Sequence, residues 1–529
     1  MNAFTRQSVD HVVVIGAGIG GLACAIDLAA AGFHVTVVER AGRPGGKMRE
    51  VRVDGAPIDA GPTVLTLRGV FDALFQAAGA SLDDHVRLRP LEILARHAWG
   101  EDARLDLFAD ADRTADAVGV FAGAAEAAGY RAFRAEARRM FETLRDTFLA
   151  DQQTGPPGLG QRIGLAHLSD LIALRPFDTM WSALANHFED PRLRQLFGRY
   201  ATYCGSSPFL APATLMLIAY VEQAGVWTVD GGMQRLADAL ETLAASLGVA
   251  FRYGAHADHV VVSNGRASGV ALAGGERLEA QAVVSNVDAA ALAFGALGPE
   301  AARAVPSASP AARSLSAVTW TVRARTRGFP LVRHNVFFSG DCQGEFDALF
   351  RERRLPQDPT IYICAQDRCA DPGAVSGPER MLVIVNAPPG ARATGSSHSR
   401  DGEETPLDER ELSLWETHVF PRLQRCGLTV ERDRANSRLS TPETFNALFP
   451  GSGGALYGRA THGWAAAFRR PGARTGLPGL YLAGGGAHPG AGVPMAALSG
   501  RLAAARLIRD RASTSRFRRA AIAGGMSTP

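Results

Sequence analysis

Between His11 and Glu39 the chain reads as a strand, a glycine turn, a helix and a second strand ending on an acid, an order that admits few folds. His11 to Ile15 (HVVVI) is β-branched, Gly16-Ala17-Gly18-Ile19-Gly20-Gly21 follows at once, and Leu22 to Ala31 favours helix. Gly32 then leads into Val35 to Glu39 (VTVVE). In such a unit Gly16 permits the tight turn, Gly18 lets backbone approach a pyrophosphate, and Gly21 lets helix and strand pack closely. The helix N-terminus, with Gly20 in its first turn, faces the phosphates. Glu39 stands 18 residues beyond Gly21, where a carboxylate accepts hydrogen bonds from ribose hydroxyls. An acid there favours a free 2′-hydroxyl, hence FAD or NAD over NADP.

At 529 residues the chain is too long for one ordinary core, so two domains, or one inserted into the other, are expected. A formal net charge of +3 and the lack of any nucleic-acid motif exclude DNA and RNA as partners on sequence grounds. Charge is concentrated at the C-terminal end: Arg501, Arg506, Arg509, Arg511, Arg516, Arg518 and Arg519 have only Asp510 among them. Such an end either docks on anionic lipid or is a solvated helix end. The six cysteines include no CxxC pair and no Cys/His cluster with zinc spacing, so they read as reduced thiols of a cytoplasmic protein, and no metal site is expected. Tyr200 to Val221 and Thr475 to Gly500 lack Asp, Glu, Lys and Arg, but prolines and glycines interrupt both, so membrane contact is expected to be peripheral.

After Glu39 the chain continues Arg40-Ala41-Gly42-Arg43-Pro44-Gly45-Gly46-Lys47, and Lys47 is its only lysine. With Asp59-Ala60-Gly61-Pro62-Thr63, this resembles the amine oxidase and phytoene desaturase superfamily of flavoproteins. The resemblance implies FAD, with Arg40, Gly46 and Lys47 along it and Gly61, Pro62 and Thr63 close to the flavin. At the far end Gly479 to Ala483 forms a short strand, then Gly484-Gly485-Gly486-Ala487-His488-Pro489-Gly490-Ala491-Gly492-Val493-Pro494-Met495 leads into a helix reaching about Arg511. Backbone N–H groups of Gly484, Gly485, Gly492, Val493 and Met495 would cradle the flavin carbonyls and the negative charge of reduced flavin. This HPGAGVP segment resembles the C-terminal signature of carotenoid desaturases. Many flavoproteins of the wider superfamily carry an acid where Gly485 stands.

If both ends serve one FAD, the fold is α/β, with a Rossmann-like FAD-binding domain assembled from separated segments and an α+β substrate domain. The nucleotide part takes 1–69, 226–310 and 446–511. The substrate part takes 70–225, mainly helical, and 311–445, mainly sheet, and 512–529 is a basic tail. Strands are expected at Ala250 to Tyr253, Val260 to Ser263, Gly269 to Leu272, Ala282 to Ser285, Val318 to Ala324, Asn335 to Ser339, Thr360 to Cys364 and Met381 to Asn386. Family order implies a backbone contact to adenine near Ala257. Ser396 to Glu404 reads as a surface loop.

Tyr200-Ala201-Thr202-Tyr203-Cys204-Gly205-Ser206-Ser207-Pro208, Glu222 and Gly225-Val226-Trp227 resemble bacterial carotenoid desaturases, most closely the 1-hydroxycarotenoid 3,4-desaturases. The resemblance implies a carotenoid substrate, a cytoplasmic location at the cytoplasmic membrane surface, and hydride transfer to flavin N5 with proton loss. Tyr200, Tyr203 and Trp227 are candidate substrate contacts, or core aromatics with satisfied polar tips. Glu222 and His488 are candidate proton acceptors, with a loop-structural role the alternative for His488. Phytoene-type desaturases, carotene isomerases, ketolases and a flavin-free prenyl-lipid carrier remain alternatives. Oligomeric state and electron acceptor stay open.

Overall fold

The β-branched run His11–Ile15 becomes the central strand of a five-stranded sheet in the order Leu480–Leu482, Ala282–Ser285, His11–Ile15, His34–Val38, Ala250–Arg252. Every neighbouring pair is parallel, with Val12 opposite Ala282 on one side and Val35 on the other. A parallel sheet is covered on both faces, which is why Val12, Val13 and Val14 are all buried and the strand reads as an unbroken apolar run. The computed structural model describes residues 10–164, 168–307, 309–368, 375, 377–390 and 409–523.

Both ends of the chain meet on this sheet. The first helix, Ile19–Ala30, packs against the C-terminal helix, Val493–Ala523, and a Cβ at Gly500 would fall 2.1 Å from the Gly20 carbonyl oxygen. Glycine is what lets these two backbones touch. Helix Gln234–Ser246 covers the same face through Leu236, Leu240 and Leu243. On the other face lies an antiparallel sheet of Ala257–Ser263, Arg266–Leu272 and Arg277–Glu279, the last a strand the sequence reading lacked.

The second layer system is mixed, as expected for the substrate half. The long strand Ser316–Gly328 pairs antiparallel with Glu379–Ala387, which leads through Ile361–Ala365 and His334–Phe337 to Ile93–Ala98 and Arg104–Phe108. Leu428–Glu431 and Ser437–Ser440 extend the other side of the long strand. Trp320, Val383 and Ile363 form a core on one face of this sheet. Helices Ala111–Ala122, Ala124–Leu144 and Pro191–Gly198 hold a second core around Tyr130, Phe133, Phe188 and Phe197.

Three strands, Leu88–Pro90, Ile93–Ala98 and Arg104–Phe108, stand among the helices of 70–225. Past the boundary expected at 69, Phe71, Leu74, Phe75, Leu82 and Val86 are still buried in the core of the nucleotide fold. Part of the arginine-rich end is ion-paired: Arg501 meets Asp27 at 3.1 Å, Arg506 meets Asp510 at 3.1 Å, and Arg511 meets Asp10 at 2.7 Å. Cys369, the loop Ser396 to Glu404, residues 524–529 and the side chains of Arg516, Arg518 and Arg519 lie outside the described residues. Among the described residues no helix is long and apolar enough to cross a membrane, and no group of His, Cys, Asp or Glu has the arrangement of a metal site.

Candidate functional site

The two glycine turns, 466 residues apart from Gly18 to Gly484, touch each other. A Cβ on Gly20 would fall 2.7 Å from Gly484 Cα, and Gly16 and Gly484 hold φ of +98° and +99°, a region that favours glycine. Between the turns sits Asn286, at the end of strand Ala282–Ser285. A Cβ on Gly18 would meet its Nδ2 at 2.6 Å, and one on Gly484 its Oδ1 at 2.4 Å. Gly21 fits the sequence reading, because its Cβ would lie 2.0 Å from the Gly16 carbonyl oxygen.

The first turn of helix Ile19–Ala30 has no side-chain cap and no acid, so its N–H groups are left for an anion. Glu39 Oε2 accepts from Ala17 N at 2.8 Å and Oε1 from Ala41 N at 2.8 Å, which fixes the carboxylate and leaves each oxygen a lone pair for a ribose hydroxyl. Gly45 and Gly46 lie on Gly18, where a Cβ on Gly46 would meet Gly18 Cα at 3.2 Å. A Cβ on Gly61 would fall 2.0 Å from the Lys47 carbonyl oxygen, so Gly61-Pro62-Thr63 runs directly beneath this loop. Asp59 accepts Met233 N on both oxygens, at 3.0 and 2.9 Å, and so ties this segment to Gly231-Gly232-Met233.

The cations are fastened to backbone. Arg40 donates to the carbonyls of Ala447 (2.9 Å) and Leu448. Lys47 Nζ donates to Leu456 O at 2.7 Å; burial lowers its pKa and Asp288 opposes that shift. Arg470 donates to the carbonyls of Tyr457, Arg459 and Gly485. Asp288 caps helix Ala289–Ala293 with Oδ1, while its buried Oδ2 has no partner and would sit 3.0 Å from a Cβ on Gly486. That oxygen lies beside Gly486, the residue after Gly485. The sequence reading placed Asn286 and Asp288 after a strand but gave them no role; their proximity to both glycine turns is the signal, and it exists only in three dimensions. These glycine cradles, the fixed acid and the uncapped helix start fit a dinucleotide such as FAD. Ala257 opens the strand Ala257–Ser263, two residues past Ala255, whose N–H reaches Glu39 O at 2.9 Å.

In the substrate half, Tyr200 donates to Glu222 Oε1 at 2.5 Å and Tyr203 to Oε2 at 2.6 Å, so each oxygen of this buried acid accepts a tyrosine hydroxyl. Burial raises the Glu222 pKa; the two tyrosines and Arg199 act against that rise. The Arg199 guanidinium lies 5.5 Å from the ring centres of both Tyr203 and Tyr362. Tyr362 OH joins Thr63 Oγ1 and His334 Nδ1, each at 2.7 Å, so a polar chain links the Gly61-Pro62-Thr63 segment to this cluster. Thr63, Tyr362 and Arg199 were the links the sequence left unseen, since they come from three distant segments.

Trp227 is half-buried: its side chain packs on the nucleotide core and against Gly225, where a Cβ would come within 2.4 Å of the indole, and its backbone N–H donates to Leu65 O at 2.9 Å. His488 is buried, with Nε2 2.9 Å from Phe148 O and 3.0 Å from Asp151 O. Nε2 therefore carries the proton, burial keeps the ring neutral, and the side chain ties the C-terminal glycine loop to the helical half. Of the candidate residues, Tyr200, Tyr203 and Glu222 come together in one hydrogen-bonded cluster.

Residues 19–392 match the family model described as flavin containing amine oxidoreductase. The hydroxyneurosporene desaturase of Rubrivivax gelatinosus is 52% identical over 98% of this chain and 97% of its own length. That of Cereibacter sphaeroides is 46% identical over 97% and 100%. A 4,4′-diapolycopene oxygenase from a Methylomonas species is 32% identical over 96% and 100%. Among solved structures, a putrescine oxidase variant superposes with a TM-score of 0.56 at 14% identity, covering 95% of this chain and 99% of that one. An oxidoreductase from Methanosarcina mazei gives 0.55 at 17%, covering 93% and 99%, and both likenesses speak to fold alone. With a family match over most of its length and near full-length relatives far above 30% identity, the chain belongs to the flavin containing amine oxidoreductases, in one family with the hydroxyneurosporene desaturases, and is an FAD-dependent oxidoreductase.

Proposed function

We propose that the protein is a carotenoid desaturase that introduces the 3,4 double bond into a 1-hydroxycarotenoid such as hydroxyneurosporene, at the surface of the cytoplasmic membrane. The observation that carries this is the 45–52% identity to three hydroxyneurosporene desaturases over nearly the whole chain, against 32% to the diapolycopene oxygenase.

Bound FAD would supply the two-electron acceptor for the hydride of an allylic C–H bond. In our reading Gly16, Gly18, Gly20 and Gly21 admit the pyrophosphate, Glu39 takes the ribose, and the Ala257 backbone meets the adenine. Arg40, Gly46, Lys47, Gly61, Pro62 and Thr63 line one side of the cofactor, with Gly484, Gly485, Gly492, Val493 and Met495 on the other. The uncapped start of helix Val493–Ala523, with no acid in its first turn, favours negative charge beside it. The second hydrogen would be lost as a proton to water, which needs no strong base beside a polyene able to delocalise positive charge. Glu222 and His488 then position rather than react, because both Glu222 oxygens are held by tyrosines and His488 is fixed between two carbonyls. Arg199 joins Tyr203 to the Thr63–Tyr362 link, and this polar cluster would suit a substrate whose hydroxyl lies close to the reacting bond.

The test is to incubate FAD-loaded protein with vesicles carrying phytoene, neurosporene or hydroxyneurosporene and to analyse the pigments. Conversion of hydroxyneurosporene alone is expected; conversion of phytoene without hydroxyneurosporene would assign a phytoene-type desaturase instead.

A further inference from the structure

Four large apolar side chains stand in solvent on one side of the substrate half: Phe177 is 81% exposed, Ile172 69%, Trp464 50% and Leu210 47%. They come from separate segments that backbone bonds draw together. Ala213 N donates to Asp178 O at 2.9 Å, Met180 N to Ala211 O at 2.8 Å, and Gly463 N to Leu210 O at 2.8 Å. The ring centres of Phe177 and Trp464 are 6.0 Å apart, and those of Trp181 and Phe209, on the same segments as Phe177 and Leu210, are 4.5 Å apart at a tilt of 43°. Isolated exposed apolar residues are ordinary, but a converged aromatic group is not.

Two cations flank the Trp464 side of this group. Trp464 sits on a loop bounded by Arg459 and Arg469, and among the described residues no ion pair joins either guanidinium to a carboxylate. Arg469 is close enough to add to the effect of burial in lowering the Arg459 pKa. On the Phe177 side Arg175 is shared between Glu136 at 2.9 Å and Asp178 at 3.3 Å. The next residue, Arg470, is turned inward onto the Tyr457 and Gly485 carbonyls.

The patch also lies over the candidate substrate segment. Ser207 N donates to His462 Nε2 at 3.0 Å and Thr461 N to Ser206 Oγ at 2.8 Å. The Trp464 loop is thus bonded to the stretch that begins with Tyr200 and Tyr203.

We propose that Ile172, Phe177, Leu210 and Trp464, flanked by Arg459 and Arg469, insert into the interfacial region of a bilayer containing anionic phospholipid. An aromatic tip with arginines at its base matches the acyl boundary and the phosphate layer in turn. A second copy fits worse, because a two-fold contact through this face would set Arg459 and Arg469 against themselves. Of the C-terminal arginines, Arg501, Arg506 and Arg511 are already bound to acids. Choice of a lipid surface rests on the apolar substrate class proposed above.

The experiment uses FAD-loaded full-length protein and co-sedimentation with vesicles of phosphatidylcholine alone or with phosphatidylglycerol. Wild type is expected to bind the anionic vesicles, Phe177→Ser/Trp464→Ser to bind them at least about tenfold more weakly, and Arg459→Gln/Arg469→Gln to lose the preference for phosphatidylglycerol. Both double variants should keep the flavin absorbance, melting temperature and turnover of detergent-solubilised carotenoid of the wild type. Vesicle binding by Phe177→Ser/Trp464→Ser equal to wild type would overturn the proposal. A wild-type dimer that this variant converts to monomer would overturn it too, and mark the face as a contact between copies. Vesicle binding without desaturation would support the docking face and sink the functional reading, whereas desaturation without vesicle binding would do the reverse.

Discussion

Glu222 is a buried acid held by two tyrosine hydroxyls, and that makes it a sharp probe. Replacement by Gln leaves one tyrosine hydroxyl facing an amide N–H₂ and removes the carboxylate nearest Arg199, so Glu222→Gln is expected to lower stability by about 2–4 kcal/mol in chemical denaturation. Tyr200→Phe, which removes one bond and no charge, should cost about half as much. His488 gives the opposite kind of test. His488→Ala strands the Phe148 and Asp151 carbonyls, for a loss of about 1–3 kcal/mol, while turnover per bound flavin is expected to stay at the wild-type level. A collapse of turnover in flavin-loaded His488→Ala would restore it as a proton acceptor. The sequence brought Tyr200, Tyr203 and Glu222 forward as candidates for one function, but it could not show that the tyrosines would spend their hydroxyls on the acid. Hydrogen-bond partners 19 and 22 residues apart follow from how the turn at Gly205 folds the segment back, which no local pattern encodes.

At the scale of elements the closest contact is between the first and last helices. Gly500→Ala would drive a methyl into the Gly20 carbonyl oxygen and within 2.9 Å of Cys24 N, so the helices must separate and the glycine turn they support must shift. The expected outcome is purified protein with little flavin absorbance, a lowered melting temperature and partial recovery when FAD is added. Gly160→Ala, in helix Pro156–Ile163 with nothing within 4 Å of the new methyl, is the matched control and should be neutral. The first strand, turn and helix were legible from residues alone because hydrophobic period, glycine spacing and the closing acid agreed. The Gly484 turn was legible mainly through resemblance. Sheet order was not, because strands Ala250–Arg252 and Leu480–Leu482 are three residues long and take their places from long-range pairing rather than from local preference.

For the whole molecule, buried ionisable groups set a pH window. Burial lifts Glu345 from 4.5 to about 7, so its stabilising contribution is complete below about pH 4.5 and is lost as pH rises through about 7. Burial, aided by nearby arginines, depresses His97 and His334 from 6.5 to about 3, so their contribution is present above pH 6.5 and is lost as pH falls from there. Together these three groups place the highest melting temperature near pH 6.5. Glu345→Gln, which keeps an acceptor for Thr360 N, is expected to exceed the wild type at pH 8 by up to about 3 kcal/mol and to lose that advantage at pH 4.5. A variant that gains nothing at pH 8 would show that Glu345 ionises freely in the fold. The nucleotide sheet has a different consequence, for how the protein is made. Its central strand, His11–Ile15, leaves the ribosome long before its edge strand, Leu480–Leu482, and the Gly484 turn that follows. The growing polypeptide therefore lacks one wall of the proposed cofactor site until that turn and the start of its helix have been made. A product cut short before about residue 480 is expected to purify without flavin absorbance however well its first four hundred residues fold.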